Sequence, residues 1–219
     1  PVVSVLSPEN KTYSVSNVAL TFKVNEATSW IGYSLDGQTN VTIAGNTTLA
    51  SLSDGSHYVV VYASDTAGNT GASSTVYFTV DTAPPDITDV SQAPLENNVL
   101  PEDEVQVNAT VTDETSGLKG VTLNYTSGDG TWITLDMTNL EGNVWSATIP
   151  AFPYCTWVTY VVIAEDNAGN VITTVGMGYE YGYHVIPEFP TLAPVLLIFI
   201  VLTIVLAIHK RRLFKTPIR

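Results

Sequence analysis

Apolar and polar residues alternate with a period of two along most of this chain, and that pattern limits its folds more than any other feature. Val18, Leu20, Phe22 and Val24 take turns with Ala19, Thr21, Lys23 and Asn25. Ile31, Tyr33 and Leu35 repeat the pattern and run into Asp36-Gly37, a strong two-residue hairpin signal. Asn40 to Ile43 reads as the returning strand. Leu49 and Leu52 follow, with a second turn at Asp54-Gly55. His57, Val59, Val61 and Ala63 then line one face of a strand, and Tyr58, Val60 and Tyr62 the other. After a turn at Asp65 to Gly71, Val76, Phe78 and Val80 close the set. Roughly seven short strands with turns every 8 to 12 residues describe a β-sandwich. No stretch before Leu192 sustains a helical period.

Asp81-Thr82-Ala83-Pro84-Pro85-Asp86 interrupts this pattern. Two prolines cannot donate to a ladder and stiffen a joint, so residues 1–80 read as one sandwich and 81–86 as a linker. Residues 87–186 read as a second sandwich, on Val105, Val107, Ala109 and Val111, then Val121, Leu123 and Tyr125, with a hairpin at Gly128-Asp129-Gly130. Val144 to Ile149, Val158 to Ala164 and Val171 to Val175 supply its later strands. The halves repeat: Ala63-Ser64-Asp65-Thr66-Ala67-Gly68-Asn69 matches Ala164-Glu165-Asp166-Asn167-Ala168-Gly169-Asn170 about 100 residues on.

A strand followed by Asp-x-Ala-Gly-Asn resembles the penultimate strand and turn of bacterial and archaeal immunoglobulin-like or fibronectin-III-like surface repeats. Tyr33-Ser34-Leu35-Asp36-Gly37, Leu52 to His57 and Val61-Tyr62-Ala63 carry the likeness in the first half, and Asp113 with Ser116-Gly117-Leu118 in the second. The resemblance implies an all-β chain of two tandem immunoglobulin-like β-sandwiches in a cell-surface setting. It says little about a ligand.

The same likeness gathers acidic residues at one pole. The loop with Asp113 and Glu114 and the loop with Glu165 and Asp166 are expected to meet the linker carrying Asp81 and Asp86. Clustered carboxylates at a joint suit Ca²⁺, which takes six to eight oxygens. The competing reading is that Asp, Asn and Gly simply make the turns, bonding local backbone. His57 faces inward with no nucleophile near it in sequence, and reads as a corner histidine bonded to backbone. Cys155 is the single cysteine, so no intrachain disulfide forms, and its apolar neighbourhood predicts a buried thiol. Asn10, Asn40, Asn46, Asn108 and Asn124 each begin Asn-x-Thr and are candidate glycan acceptors on an outward-facing chain. Gly176, Gly178 and Gly182 alternate with Tyr179, Tyr181 and Tyr183, as a last edge strand, a stalk or an interfacial aromatic belt.

Leu192 to Ile208 is free of charge and reaches roughly 26 Å as a helix, close to a bilayer's hydrocarbon core. A buried core helix is the alternative. All 21 acidic residues precede it, and five of the eight Lys and Arg follow it, which leaves −18 before the run and +5 after. The expected layout is a spacer at 187–191, a transmembrane helix at 192–208 and a basic cytoplasmic tail at 209–219. Lys210, Arg211 and Arg212 would stop transfer and hold the N-terminal part outside. Pro187-Glu188-Phe189-Pro190, the apolar run and the basic cluster together resemble the archaeal Pro-Glu-Phe sorting signal. That resemblance implies processing by an archaeosortase-type transpeptidase, and a rigid spacer before a permanent anchor is the other reading. An outward-facing domain needs a signal sequence and Pro1 opens on a strand, so the expectation is the C-terminal piece of a longer precursor.

The acidic outer part disfavours nucleic acid. No phosphate loop, His/Cys metal spacing or nucleophile–base pair points to an enzyme. The expected function is a non-catalytic, membrane-anchored structural or adhesive module of the archaeal envelope, with envelope polysaccharide or other surface proteins as partners. The alternatives are the stalk and anchor of a larger surface enzyme or receptor, and a carbohydrate-binding module using exposed aromatics such as Trp30 or Trp132.

Overall fold

Alternating burial turns the period-two sequence into strands. A computed structural model describes residues 1–187 and 198–206. The first nine strands are β1 (Val3–Ser7), β2 (Thr12–Tyr13), β3 (Val18–Val24), β4 (Trp30–Leu35), β5 (Val41–Thr42), β6 (Thr47–Leu49), β7 (Gly55–Ser64), β8 (Thr70–Ala72) and β9 (Val76–Val80). They form two facing sheets. One has the order β1-β3-β6; the other has β2-β9-β7-β4-β5, with β8 also on β7. Between the sheets lie Leu20, Leu49, Val59, Val61, Phe78 and Val80, all buried. Each such side chain contributes about 1.5–3 kcal/mol by leaving water.

The next nine strands repeat the plan: β10 (Asp86–Ala93), β11 (Val105–Thr112), β12 (Leu118–Thr126), β13 (Ile133–Asp136), β14 (Thr138–Glu141), β15 (Val144–Ile149), β16 (Trp157–Asp166), β17 (Val171–Thr173) and β18 (Tyr181–His184). The sheets are β10-β11-β15-β14 and β13-β12-β16-β17, with β18 on β16. Leu123, Ile149, Tyr160, Val162 and Tyr183 fill the second core. Asp86 starts β10 rather than ending the linker, because it pairs with Thr112.

The turns follow their residues. Gln38 N–H donates to Leu35 O at 2.9 Å across Asp36 and Gly37, whose φ values are 53° and 73°. Positive φ at both central positions is the hairpin geometry that Asp-Gly favours. His57 is a corner residue: Nε2 lies 2.8 Å from Ser53 O and Nδ1 lies 2.8 Å from Asp36 Oδ2. Both partners are acceptors, so only the imidazolium satisfies both. Burial works against that charge, but the Ser53 carbonyl and Asp36 carboxylate outweigh it and raise the His57 pKa above 6.5.

The expectation for the cysteine changes. Cys155 is exposed, not buried. It sits at φ 68° in a tight turn where Thr156 N–H donates to Pro153 O and Cys155 N–H to Val185 O. The left-handed backbone turns its side chain outward, while neighbouring Phe152 packs inward against Tyr125. The Gly/Tyr stretch does supply a last strand: Tyr181–His184 pairs with Trp157–Tyr160, and Tyr183 enters the core.

Residues 198–206 are helical with every side chain exposed. The lone polar side chain, Thr203, donates Oγ1–H to Ile200 O at 2.8 Å. No helix among the described residues is long and apolar enough to cross a membrane. The expected span at 192–208 lies only partly among the described residues. Glu188, Phe189 and Pro190 of the sorting motif, and Lys210, Arg211 and Arg212, lie outside them.

Candidate metal centre

Three strand ends converge where the sandwiches join. Asp81 follows β9, with its N–H donating to Tyr13 O at 2.9 Å. Asp113 follows β11, and Asp166 ends β16. One carboxylate oxygen from each lies within 4.8 Å of the others. Asp81 and Asp166 are fully buried, and Asp113 is half-buried.

Local turns fix each carboxylate. Asp166 Oδ1 accepts from Ala168 N–H and Asn170 N–H, both at 2.8 Å, and Oδ2 accepts from Asn170 Nδ2 at 2.8 Å. Gly169, at φ 93°, supplies the left-handed residue this turn needs. Asp113 Oδ1 accepts from the N–H groups of Ser116 and Gly117. Asp81 differs. Its Oδ1 has one long bond, from Ala83 N–H at 3.3 Å, and its buried Oδ2 has no partner among the described residues.

That arrangement is costly as it stands. None of the three carboxylates has a Lys, Arg or His ion-pair partner among the described residues; Lys119 instead pairs with Glu165 at 2.8 Å. Two like charges within 4.8 Å of each other repel by at least about 3 kcal/mol at an effective dielectric near 20. A buried carboxylate oxygen without a donor adds several kcal/mol more, on the order of 3. A hard cation would reverse both costs, and carboxylate oxygens are the ligands it takes.

Of the six acidic residues expected at this pole, the structure gathers Asp81, Asp113 and Asp166. Glu165 points to the other face of β16, toward Lys119, and Glu114 and Asp86 are exposed. The linker is gripped from both sides. Asp54 of the first sandwich accepts from Thr82 N–H at 2.8 Å and from Thr82 Oγ1 at 3.0 Å. Asn170 of the second donates Nδ2–H to Asp81 O at 2.8 Å and to Ala83 O at 3.3 Å. The repeat in the sequence marked Asn170 as a turn residue, but not as a clamp on the linker. In the first sandwich Asp65 and Asn69 make the same turn. The Asn69 amide, followed by its backbone N–H, holds the Asp65 carboxyl below its usual pKa.

Glycan candidates divide. Asn10, Asn40 and Asn46 are exposed, with Asn46 Oδ1 accepting from Phe22 N–H. Asn108 and Asn124 stand mid-strand and half-buried, with their side-chain carbonyls covered and without a partner among the described residues. Trp30 is half-buried and bonds Thr42 Oγ1 at 2.9 Å, whereas Trp132 is exposed.

Sheet order and duplicated turn define the class: an all-β tandem of immunoglobulin-like, fibronectin III-like sandwiches. Residues 6–82 match the family model described as a bacterial Ig-like domain. Halomucin of Haloquadratum walsbyi (strain DSM 16790 / HBSQ001) is 42% identical over 92 residues. The match covers 38% of this chain, and the chain spans about 1% of that protein's length. Among solved structures, the fibronectin(III)-like modules of Clostridium thermocellum CbhA align over 84% of this chain and 94% of theirs, at 16% identity and a TM-score of 0.48. The chicken CNTN1 FN1-FN3 domains align over 84% and 67%, at 17% identity and a TM-score of 0.42.

Proposed function

We propose that this chain is a non-catalytic, cell-surface structural or adhesive module of an archaeal envelope, with its two sandwiches locked end to end by a divalent cation, Ca²⁺ by its oxygen chemistry. The observation that carries the reading is the buried carboxylate of Asp81, which lies against those of Asp113 and Asp166 and whose Oδ2 has no hydrogen-bond partner among the described residues. A linker gripped by Asp54 on one side and Asn170 on the other becomes stiff once the carboxylates between them share a cation. Immunoglobulin-like modules in series act as spacers, and a spacer gains reach from stiff joints. The surface setting is supported by the halomucin likeness and by the charge contrast across Leu192 to Ile208. That apolar run would hold the chain in the membrane, as a permanent anchor or as a segment exchanged for a lipid.

Exposed Cys155 offers a direct test. A spin label there and a second at Thr39→Cys, an exposed hairpin position on the first sandwich, report the distance between the two sandwiches. With Ca²⁺ the distance distribution is narrow, and in EGTA it broadens. An equally narrow distribution in both conditions would remove the cation from the joint.

A further inference from the structure

We propose that the pole of the second sandwich binds a neutral saccharide in the pocket next to the carboxylate triad, and that the cation strengthens this binding. The inference rests on the cation reading in one respect, the sharing of Asp113. A cavity of about 380 Å³ opens between the end of β11 and the β14–β15 hairpin, within the size range of small-ligand sites. Thr112 at the end of β11 and Asp113 and Glu114 just after it line one side, and Asn139, Asn143 and Trp145 of the hairpin the other. The hairpin is tied in place by Asn139 Nδ2–H to Gly142 O and by Val111 N–H to Asn143 O, both at 2.9 Å.

The lining selects the ligand class. Two carboxylates with no Lys or Arg among the lining residues repel sulfate, phosphate and uronate groups. Sugar hydroxyls donate to the carboxylates and accept from the amides, and the C–H face of a pyranose lies against an indole ring. Trp145 supplies the independent sign. Its buried Nε1–H has no acceptor among the described residues, whereas a buried indole N–H ordinarily finds one. A small rotation of the half-buried ring would bring that N–H to a hydroxyl oxygen in the pocket. Asp113 couples the two sites, because it lines the pocket and belongs to the triad. A cation held by the triad would fix the Asp113 carboxylate at the pocket wall, which is how it strengthens binding.

Titration calorimetry on the full chain tests this, in a detergent without a sugar headgroup. The probes are maltotetraose, mannotriose and an N-acetylglucosamine trimer, with polygalacturonate as the anionic counter-probe. A neutral probe binds in millimolar Ca²⁺ and more weakly in EGTA, and polygalacturonate, titrated in EGTA only because it chelates Ca²⁺ itself, does not bind. Trp145→Phe keeps the ring, loses the N–H and weakens binding roughly tenfold, with the Ca²⁺-induced melting shift intact. Glu114→Gln, at an exposed position, weakens it without disturbing the fold, and Trp132→Phe leaves it unchanged. No neutral probe binding to protein that still shows the calcium melting shift overturns the inference and spares the cation. Binding indifferent to calcium, or to both Trp145→Phe and Glu114→Gln, overturns it as well. A missing melting shift instead sinks the cation reading itself, and with it the coupling between the two sites.

Discussion

Replacing Asp81 with Asn separates a metal joint from an ordinary buried carboxylate, because the two predict opposite signs without calcium. The amide has the same shape as the carboxylate but no charge. In calcium-free buffer the substitution removes two of the three repulsions in the triad, each about 3 kcal/mol at an effective dielectric near 20. It also gives the side chain an N–H donor beside the Asp113 and Asp166 carboxylates, whereas the parent's Oδ2 has no donor among the described residues. Relaxation and water entry discount those figures, and a net gain on the order of 1–2 kcal/mol remains. For a sandwich of roughly 100 residues that raises the melting temperature by about 5–15 °C. With calcium at a hundred times its dissociation constant, the parent gains about 2.7 kcal/mol and the variant gains little. The melting order therefore crosses: Asp81→Asn is the more stable protein in EGTA and the less stable in calcium. Scanning calorimetry of both proteins in both buffers reads this directly. A variant that melts lower than the parent by the same amount in EGTA and in calcium would refute the reasoning, since that is how a plain structural aspartate behaves.

Other outcomes follow from the same geometry. The raised His57 pKa makes its contribution to stability complete below about pH 6.5 and lost as pH rises through the folded-state value. The first sandwich then melts lower at alkaline than at mildly acidic pH, and His57→Gln flattens that dependence. Asn170→Ala costs about 1 kcal/mol more than Asn69→Ala in chemical denaturation, because only Asn170 also holds the linker carbonyls. Peptide mass spectrometry of native material finds glycans at Asn10 and Asn40 and none at Asn108 or Asn124, where the side chain is partly covered within a strand. A maleimide labels Cys155 in the native protein without denaturant, and failure to label would contradict its exposure.

The strands were legible because burial in a sandwich imposes period two, and Val105 to Val111 or His57 to Ala63 cannot satisfy it any other way. The duplicated Asp-x-Ala-Gly-Asn turn was legible because only glycine takes its left-handed position at low cost. The pole was legible as a region, but not residue by residue. Asp166 and Glu165 are neighbours with opposite faces, and strand register decided which one met the joint and which one met Lys119. Asp81 and Asp86 are equally acidic in sequence. Asp81 is buried because its N–H closes on Tyr13 O, while Asp86 is drawn out into β10. Cys155 misled because an apolar neighbourhood suggests burial, whereas a single residue at positive φ reversed the direction of its side chain.

The pairing of β2 with β9 has a mechanical consequence. These strands run parallel, Thr12 beside Thr79 and Tyr13 beside Val80. When the two ends of the first sandwich are pulled apart, parallel neighbours slide lengthwise past each other. Their hydrogen bonds, Thr79 N–H to Lys11 O and Asp81 N–H to Tyr13 O, are then strained together in shear instead of being peeled open one at a time. Asp81 is both the final bond of that shear patch and a carboxylate of the joint. Tension along the chain thus reaches Asp81 before it reaches the core, and a cation held there would set the force at which the first sandwich begins to yield.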